Sequence, residues 1–289
     1  MPELPEVEHV ARGLREALVG RRLERVEIRR ATLRSPIPRR RIEGEVGARV
    51  SAVARRGKWI LVDLARGRRR ADLAMASTLL IHLGMSGRVL VARSAGELDF
   101  ERHEHWRLSF SPARGTGLLL LRGIDARRFG DLLHVRAVER ARHKALRELG
   151  PEPLDEGFTA QCLAARAQRK RVALKSFLLD GRNVAGIGNI YASEACFSAG
   201  LRPERSVAEL DAREWEALHG ALRSTLERAI NSGGTSLRDY VDTAGQQGRH
   251  LYELFVYGRK GEPCRKCGHA IRETRQAGRS TFTCTICQT

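Results

Sequence analysis

The sequence predicts an α+β chain of more than one domain: a β-rich first half behind a single helix, a helical second half, and a short cysteine-rich tail. Three observations carry this. Short apolar segments recur between residues 22 and 136, separated by Gly, Pro or charged clusters, which is the texture of an antiparallel sandwich or barrel. A breaker cluster, Gly150-Pro151-Glu152-Pro153, is followed by three- and four-residue apolar spacing. Four of the six cysteines fall in the last 26 of 289 residues.

The elements follow in order. Over residues 5–19, Val7, Val10, Leu14 and Leu18 recur at helical steps, with Pro5 suited to the first turn, Glu6 and Glu8 favouring its positive end, and Gly20 placed to end it. The spacing then predicts strands at Val26–Ile28, Val46–Val53, Trp59–Leu64, Leu79–Leu83, Arg88–Val91, Trp106–Phe110, Leu118–Leu121 and Leu132–Val135. The Arg-rich tract Leu64–Ala71 reads as a solvated hairpin loop. Beyond the breaker cluster, helices are expected over 159–168, 170–179, 190–199 and 211–231, with a Gly-punctuated segment, Gly181–Gly188, among them. These features divide the chain into 1–148, 149–257 and 258–289.

Composition narrows the function. At 42% hydrophobic the chain can bury real cores. Its apolar runs fall far short of the roughly 18 residues needed to span a bilayer, and the acidic, Pro-bearing start does not read as a secretory signal, so a cytoplasmic protein is expected. Lys and Arg number 52 against 34 Asp and Glu, a net charge of +18, more than solubility requires; nucleic acid is the commonest polyanion that such a charge attracts.

Cys264-x-x-Cys267 and Cys284-x-x-Cys287, with sixteen residues between them, have the spacing of a four-thiolate tetrahedral zinc site. Such a closed shell leaves no open position for catalysis, so one structural Zn²⁺ is expected, supplying the folding energy of a tail too short for its own core. Between the knuckles, Gly278-Arg279-Ser280-Thr281-Phe282 reads as a hairpin tip that carries a cation. Cys162 and Cys196, alone, read as small buried hydrophobes.

The chain opens Met-Pro-Glu-Leu-Pro-Glu-Val-Glu. Removal of Met1 exposes Pro2 as a secondary amine. An α-amino group titrates near pH 8, about two units below lysine, so more of it is neutral and nucleophilic in the cell. The following helix points its positive end at this amine, and Glu3 stands next to it as an acid/base group.

Together with Pro2-Glu3-Leu4-Pro5-Glu6, several further motifs resemble the bacterial formamidopyrimidine-DNA glycosylases of the Fpg/Nei family. They are Gly57-Lys58, His82-Leu83-Gly84-Met85-Ser86-Gly87, Arg127-Arg128-Phe129-Gly130, Gly186-Ile187-Gly188-Asn189-Ile190-Tyr191, and Tyr257-Gly258-Arg259-Lys260-Gly261 before the zinc tail. The resemblance spans the whole chain in order. It implies an N-terminal β-sandwich flanked by helices, a helix–two-turns–helix domain, a zinc-finger hairpin, and a monomer that holds double-stranded DNA with oxidised bases or abasic sites in a basic cleft. It implies a bifunctional glycosylase and abasic-site lyase for 8-oxoguanine and formamidopyrimidines.

Residue by residue, it makes Pro2 the Schiff-base nucleophile and Glu3 its acid/base partner. It assigns Lys58 to β-elimination and Arg279 to the phosphates flanking the lesion and to δ-elimination. His82, His103, Arg127, Lys170 and Asn189 become DNA contacts, and Met85, Arg127 and Phe129 the set that fills the hole left by an everted base. A pair such as His103 and His105, one residue apart, could suggest a metal; without a third ligand it does not. Asp239–Leu251 matches the loop that caps an everted purine, with a polar tip, Gln246-Gln247-Gly248-Arg249-His250, and Ala126 stands where a proline is common. The runner-up within the class is an endonuclease VIII-like enzyme for oxidised pyrimidines; Leu4 and the full-length capping loop favour the purine enzyme. A non-enzymatic DNA-binding zinc protein accounts for the charge and the knuckles but not for Pro2-Glu3 with Lys58.

Overall fold

The computed structural model describes residues 1–67, 76–94, 99–112, 117–235, 243 and 253–289. It divides into two compact units, Met1–Arg147 with Gly233–Arg249, and Glu148–Ser232 with His250–Thr289. The expected capping loop, Asp239–Leu251, lies outside the described residues except for Thr243, as does the second half, 68–71, of the expected Arg-rich loop.

The first unit opens with helix α1, Leu4–Leu18. Its apolar stripe, Val7, Val10, Ala11, Leu14 and Leu18, is buried in one core with both sheets; each Val or Leu so buried contributes about 1.5–3 kcal/mol. The strands are β1 Leu23–Ile28, β2 Arg49–Arg56, β3 Trp59–Ala65, β4 Ser77–His82, β5 Gly87–Ser94, β6 Glu104–Phe110, β7 Leu118–Asp125 and β8 Asp131–Arg136. They form two four-stranded antiparallel sheets, ordered β1-β6-β7-β5 and β2-β3-β4-β8, facing one another across that core. Each expected strand exists.

Boundaries moved where tertiary contacts outweigh local pattern. The expected Val46–Val53 segment starts instead at Arg49 and runs to Arg56, because residues 44–47 leave a short helix, α2 (Arg39–Glu43), through backbone turns. The expected loop's first residues, Leu64 and Ala65, finish β3 and are buried. In β7, Gly123 lets the Trp106 indole lie flat on the strand, since a Cβ there would sit 1.9 Å from the ring.

The second unit contains α3 Ala160–Ala167, α4 Leu174–Leu179, α5 Asn189–Ser198 and α6 Ala212–Asn231. Helix α5 is buried on all sides from Ile190 to Phe197 and so shows no amphipathic stripe. Helix α6 starts with a capping box in which Asp211 and Glu214 satisfy each other's backbone N–H groups. The expected helix 170–179 begins only at Leu174: Val172 and Ala173 stay extended because the Val207 N–H donates to the Val172 carbonyl at 3.0 Å and Ala173 bridges Ser206. In the tail, β9 Arg272–Gln276 pairs with β10 Arg279–Thr283. The turn between them is Ala277-Gly278, both at positive φ, so the hairpin tip lies just before Arg279, which opens the strand. Among the described residues no helix is long and apolar enough to cross a membrane.

Candidate active site

In the first unit, Pro2 and Glu3 are buried immediately before α1. Glu6, one turn into the helix, holds this segment: its Oε2 accepts from the Glu3 N–H at 2.8 Å and its Oε1 from the Thr235 N–H at 2.8 Å. The α1 N-terminus therefore anchors both the Pro2-Glu3 pair and Thr235, four residues before the expected capping segment. Nothing in the sequence marked Glu6 beyond its place in the first helical turn.

Lys58 sits in the β2–β3 turn after Gly57, which takes φ 57°. The register brings Trp59 opposite His82, with ring centroids 4.9 Å apart. His82 Nδ1 accepts the Gly84 N–H at 3.0 Å, which assigns the imidazole proton to Nε2. Burial, then the Lys58 and Arg34 cations, push the His82 pKa down to about 4. At neutral pH this ring is therefore an uncharged donor, able to give its Nε2–H to an anionic oxygen. Lys58 and His82 thus share one electrostatic neighbourhood.

His103 is exposed at a left-handed φ of 66° just before β6. His105 is buried, with Nε2 2.8 Å from the Asp125 carbonyl oxygen. The two rings do not converge; among the described residues the only group with metal-binding geometry is the four tail cysteines.

Met85 and Phe129 are 40% and 44% exposed, large apolar side chains left in solvent at the β4–β5 and β7–β8 turns. The Arg127 guanidinium lies 4.8 Å above the Phe129 ring. The structure brings these three expected residues onto adjoining turns, since a Cβ on Gly84 would lie 2.4 Å from the Phe129 backbone.

In the second unit, Lys170 Nζ hydrogen-bonds Asn183 Oδ1 and lies 5.4 Å from the Phe177 ring centroid. Gly186, at φ 83°, and Gly188, the N-cap, turn the chain into α5, where Asn189 is the first helical residue. Asn189 Nδ2 donates to the Ser280 carbonyl at 3.0 Å, while its Oδ1 is buried without a hydrogen-bond partner among the described residues. The same Ser280 carbonyl accepts from Lys175 Nζ at 2.7 Å, and Lys175 also donates to Thr281 Oγ1 at 2.8 Å. Lys175 is 1% exposed, and the sequence reading missed it. Its one signal was a cation inside the apolar pattern of α4. Together Lys175 and Asn189 fix the strand next to Arg279, whose own side chain is exposed.

The Cys264, Cys267, Cys284 and Cys287 sulfurs all lie within 4.8 Å of one another. The Cys264–Cys287 and Cys267–Cys284 pairs are 3.9 and 3.4 Å apart, against roughly 3.8 Å for thiolates 2.3 Å from a tetrahedral Zn²⁺. The four thiols fit the ion, and the tail is a structural zinc site. Its small cluster, Val256, Ile271, Phe282 and the ligands Cys264 and Cys284, packs on Phe197 of α5. Glu194, deeply buried on the same helix, accepts the N–H groups of Phe255, Val256 and Tyr257 at 2.8–2.9 Å. Burial pushes its pKa up, opposed by those three donors. Cys196 on the same helix is buried, which drives its thiol up to about 12 and leaves it inert.

Comparison with known proteins decides the lineage. The formamidopyrimidine-DNA glycosylase N-terminal domain matches residues 1–132, the H2TH domain of the same enzymes matches 149–241, and the zinc finger found in FPG and IleRS matches 261–289. The chain belongs to the formamidopyrimidine-DNA glycosylase family. A formamidopyrimidine-DNA glycosylase of Gluconobacter oxydans is 43% identical over 290 residues, covering all of both chains. The MutM (Fpg) protein of Thermus thermophilus superposes with a TM-score of 0.84 at 36% identity, covering 99% of this chain and 98% of its own. Lactococcus lactis Fpg, solved with DNA containing N7-benzyl-Fapy-dG, gives 0.85 at 30% identity over 99% of each chain. The β-sandwich, the helical H2TH unit and the zinc hairpin expected from the sequence are all family features that this chain carries.

Proposed function

We propose that this family member excises oxidised purines from double-stranded DNA and cleaves the resulting abasic site, with Pro2 as nucleophile after removal of Met1. The observation that carries the reading is Pro2-Glu3 held at the N-terminus of α1 by Glu6. The neutral Pro2 nitrogen attacks C1′ and the glycosidic bond breaks, the base leaving with a proton. The amine proton is lost as the sugar opens, giving an iminium, and Glu3 moves the protons at this centre. The iminium acidifies C2′; loss of that proton expels the 3′ phosphate, and a second elimination expels the 5′ phosphate. Lys58 serves the first elimination. Arg279, always charged, holds the flanking phosphates in a fixed fork rather than giving up a proton.

On the DNA backbone, His82 donates its Nε2–H to phosphate, and His103, Lys170 and Asn189 add contacts. At the α5 N-terminus, backbone N–H groups favour a phosphate. Met85, Arg127 and Phe129 fill the space of the everted nucleotide, with Arg127 reading the base left opposite. Zinc takes no part in the chemistry; it holds the hairpin that carries Arg279. The enzyme works as a single chain in the cytoplasm, where its DNA lies.

The deciding experiment is borohydride trapping on a duplex with one 8-oxoguanine opposite cytosine. A covalent adduct mapped to Pro2, absent in Pro2→Gly, is the expected result. No adduct with a protein that has lost Met1 and binds the duplex would refute the purine reading, and the same duplex with an oxidised pyrimidine then tests the runner-up.

A further inference from the structure

The two turns that carry Met85 and Arg127–Phe129 are far apart in sequence yet share one acceptor. Asp125, 5% exposed, ends β7 beneath them. Its Oδ1 accepts from Ser86 Oγ at 2.8 Å and from the Arg127 N–H at 3.2 Å; its Oδ2 accepts from the Gly130 N–H at 2.8 Å. Its carbonyl accepts from His105 and from the Arg128 N–H, and its own N–H donates to the His103 carbonyl at 2.9 Å. Three segments therefore converge on one residue: the 83–87 turn, the start of β6 at 103–105 and the 126–130 turn.

The turn it holds is not one that the chain adopts by preference. Arg128 takes φ 55°, a left-handed conformation that a side-chain-bearing residue avoids. Ala126 supplies no ring to stiffen the approach. The carboxylate instead imposes the path by accepting at residues 127 and 130, the two ends of the Arg127–Gly130 segment. Gly84, at φ 60°, closes the other side: its α-carbon packs so near Phe129 and Gly130 that no Cβ fits. The outcome is two exposed apolar side chains and a guanidinium stacked on one of them, on turns that cannot shift independently.

We propose that Asp125 is the positioning residue that locks the Met85 turn to the Arg127–Phe129 turn as one rigid wedge, and so sets how strictly the base opposite the lesion is read. Asp125 touches neither the lesion nor the reacting atoms; it acts through the backbone of Arg127 and through Ser86. This rests on the functional reading above, and the tests separate the two.

Asp125→Asn keeps the shape but turns one acceptor into a donor facing an N–H or the Ser86 hydroxyl. Ser86→Ala removes two bonds at a half-buried position, the one that Ser86 Oγ donates to Asp125 Oδ1 and the one it accepts from the Arg127 N–H at 3.2 Å, and leaves the carboxylate. Excision of 8-oxoguanine opposite cytosine falls about tenfold in Asp125→Asn, where the carboxylate that holds both turns is lost, and about threefold in Ser86→Ala, where the carboxylate keeps its backbone donors at Arg127 and Gly130. The ratio of excision opposite cytosine to excision opposite adenine moves toward one in both. Cleavage of an abasic site in single-stranded DNA, which has no opposite base and no hole, stays at the parent rate. A stacking readout needs no chemistry: 2-aminopurine opposite a stable abasic analogue brightens on saturation with the parent protein and brightens less with either variant.

Variants that keep the parent's opposite-base ratio and its 2-aminopurine signal would overturn the proposal. If Asp125→Asn lowers every activity together with its melting temperature, Ser86→Ala decides by the same ratio. A parent protein that brightens 2-aminopurine but forms no borohydride adduct would overturn the functional reading while leaving the wedge intact.

Discussion

The β-sandwich and the zinc tail stand on opposite physical footings. The sandwich buries one continuous core drawn from α1 and both sheets, so its stability is spread over many apolar contacts. The tail has a small cluster that borrows Phe197 from α5, and four thiolates at zinc-binding separations do the rest. One region carries the proposed nucleophile, the other the proposed phosphate clamp. A distributed core degrades gradually under mutation, whereas a tail organised by a single ion is all or nothing.

Metal removal breaks this contrast most sharply. Structural zinc contributes about 10–16 kcal/mol in zinc-finger peptides, so a strong chelator should unfold the tail completely. Limited proteolysis should then cut within 258–289 while the sandwich keeps its protection, and strand nicking should vanish. Survival of a protected tail without zinc would place its stability in the Phe197 cluster instead.

Within the sandwich, Leu108→Ala hollows a fully buried site in β6. It should cost about 2–5 kcal/mol in denaturant unfolding, with zinc content unchanged. A smaller effect is expected from Lys175→Met, which strips one of two donors from the Ser280 carbonyl. A stability loss of about 1–3 kcal/mol, confined to the helical unit, should come with slower nicking and an unaltered Pro2 adduct. A Lys175→Met protein whose trapping falls in step with its nicking would show that Lys175 serves the whole fold rather than the hairpin.

A further effect is a pH dependence of the sandwich alone. His82 is held neutral, with its folded pKa at about 4 against an ordinary 6.5. The unfolded chain therefore binds a proton over that interval before the folded one does, and stability falls as the pH drops from 6.5 towards 4. His82→Gln should flatten this decline in urea unfolding measured at several pH values. An identical slope in the variant would move the effect to other groups.

Most of the elements were legible because their signals are local. Short apolar segments between Gly, Pro or charged clusters marked all eight sandwich strands, and the Val7–Leu18 stripe marked α1. Failures came where a distant contact overrode the pattern. Helix α4 starts late because Val172 and Ala173 pair with Val207 and Ser206, and β2 shifts because Gly47 donates to the Leu23 carbonyl at its start while pairing with β3 carries it on to Arg56. Arg279 opens a strand instead of crowning the tip, because Ala277-Gly278 supply the two positive φ angles that the reversal needs. The candidate site divides in the same way. Pro2-Glu3 and the cysteines declared themselves by position and spacing, whereas Glu6 and Lys175 looked like ordinary charges on helices.

The sequence by itself determined the charge, the strand and helix inventory, the four zinc ligands and the terminal Pro-Glu pair. Each is a property of residues close together along the chain, where covalent spacing dictates geometry. Only the tertiary structure decided that β6 and β7 lie inside the β1-β6-β7-β5 sheet, that His82 carries its proton on Nε2, that Lys175 reaches the strand beside Arg279, and that Asp125 joins the turns of Met85 and Phe129. Those facts depend on groups brought together by burial of the core, and a hydrogen bond between residues forty positions apart leaves no periodic trace in the chain that makes it.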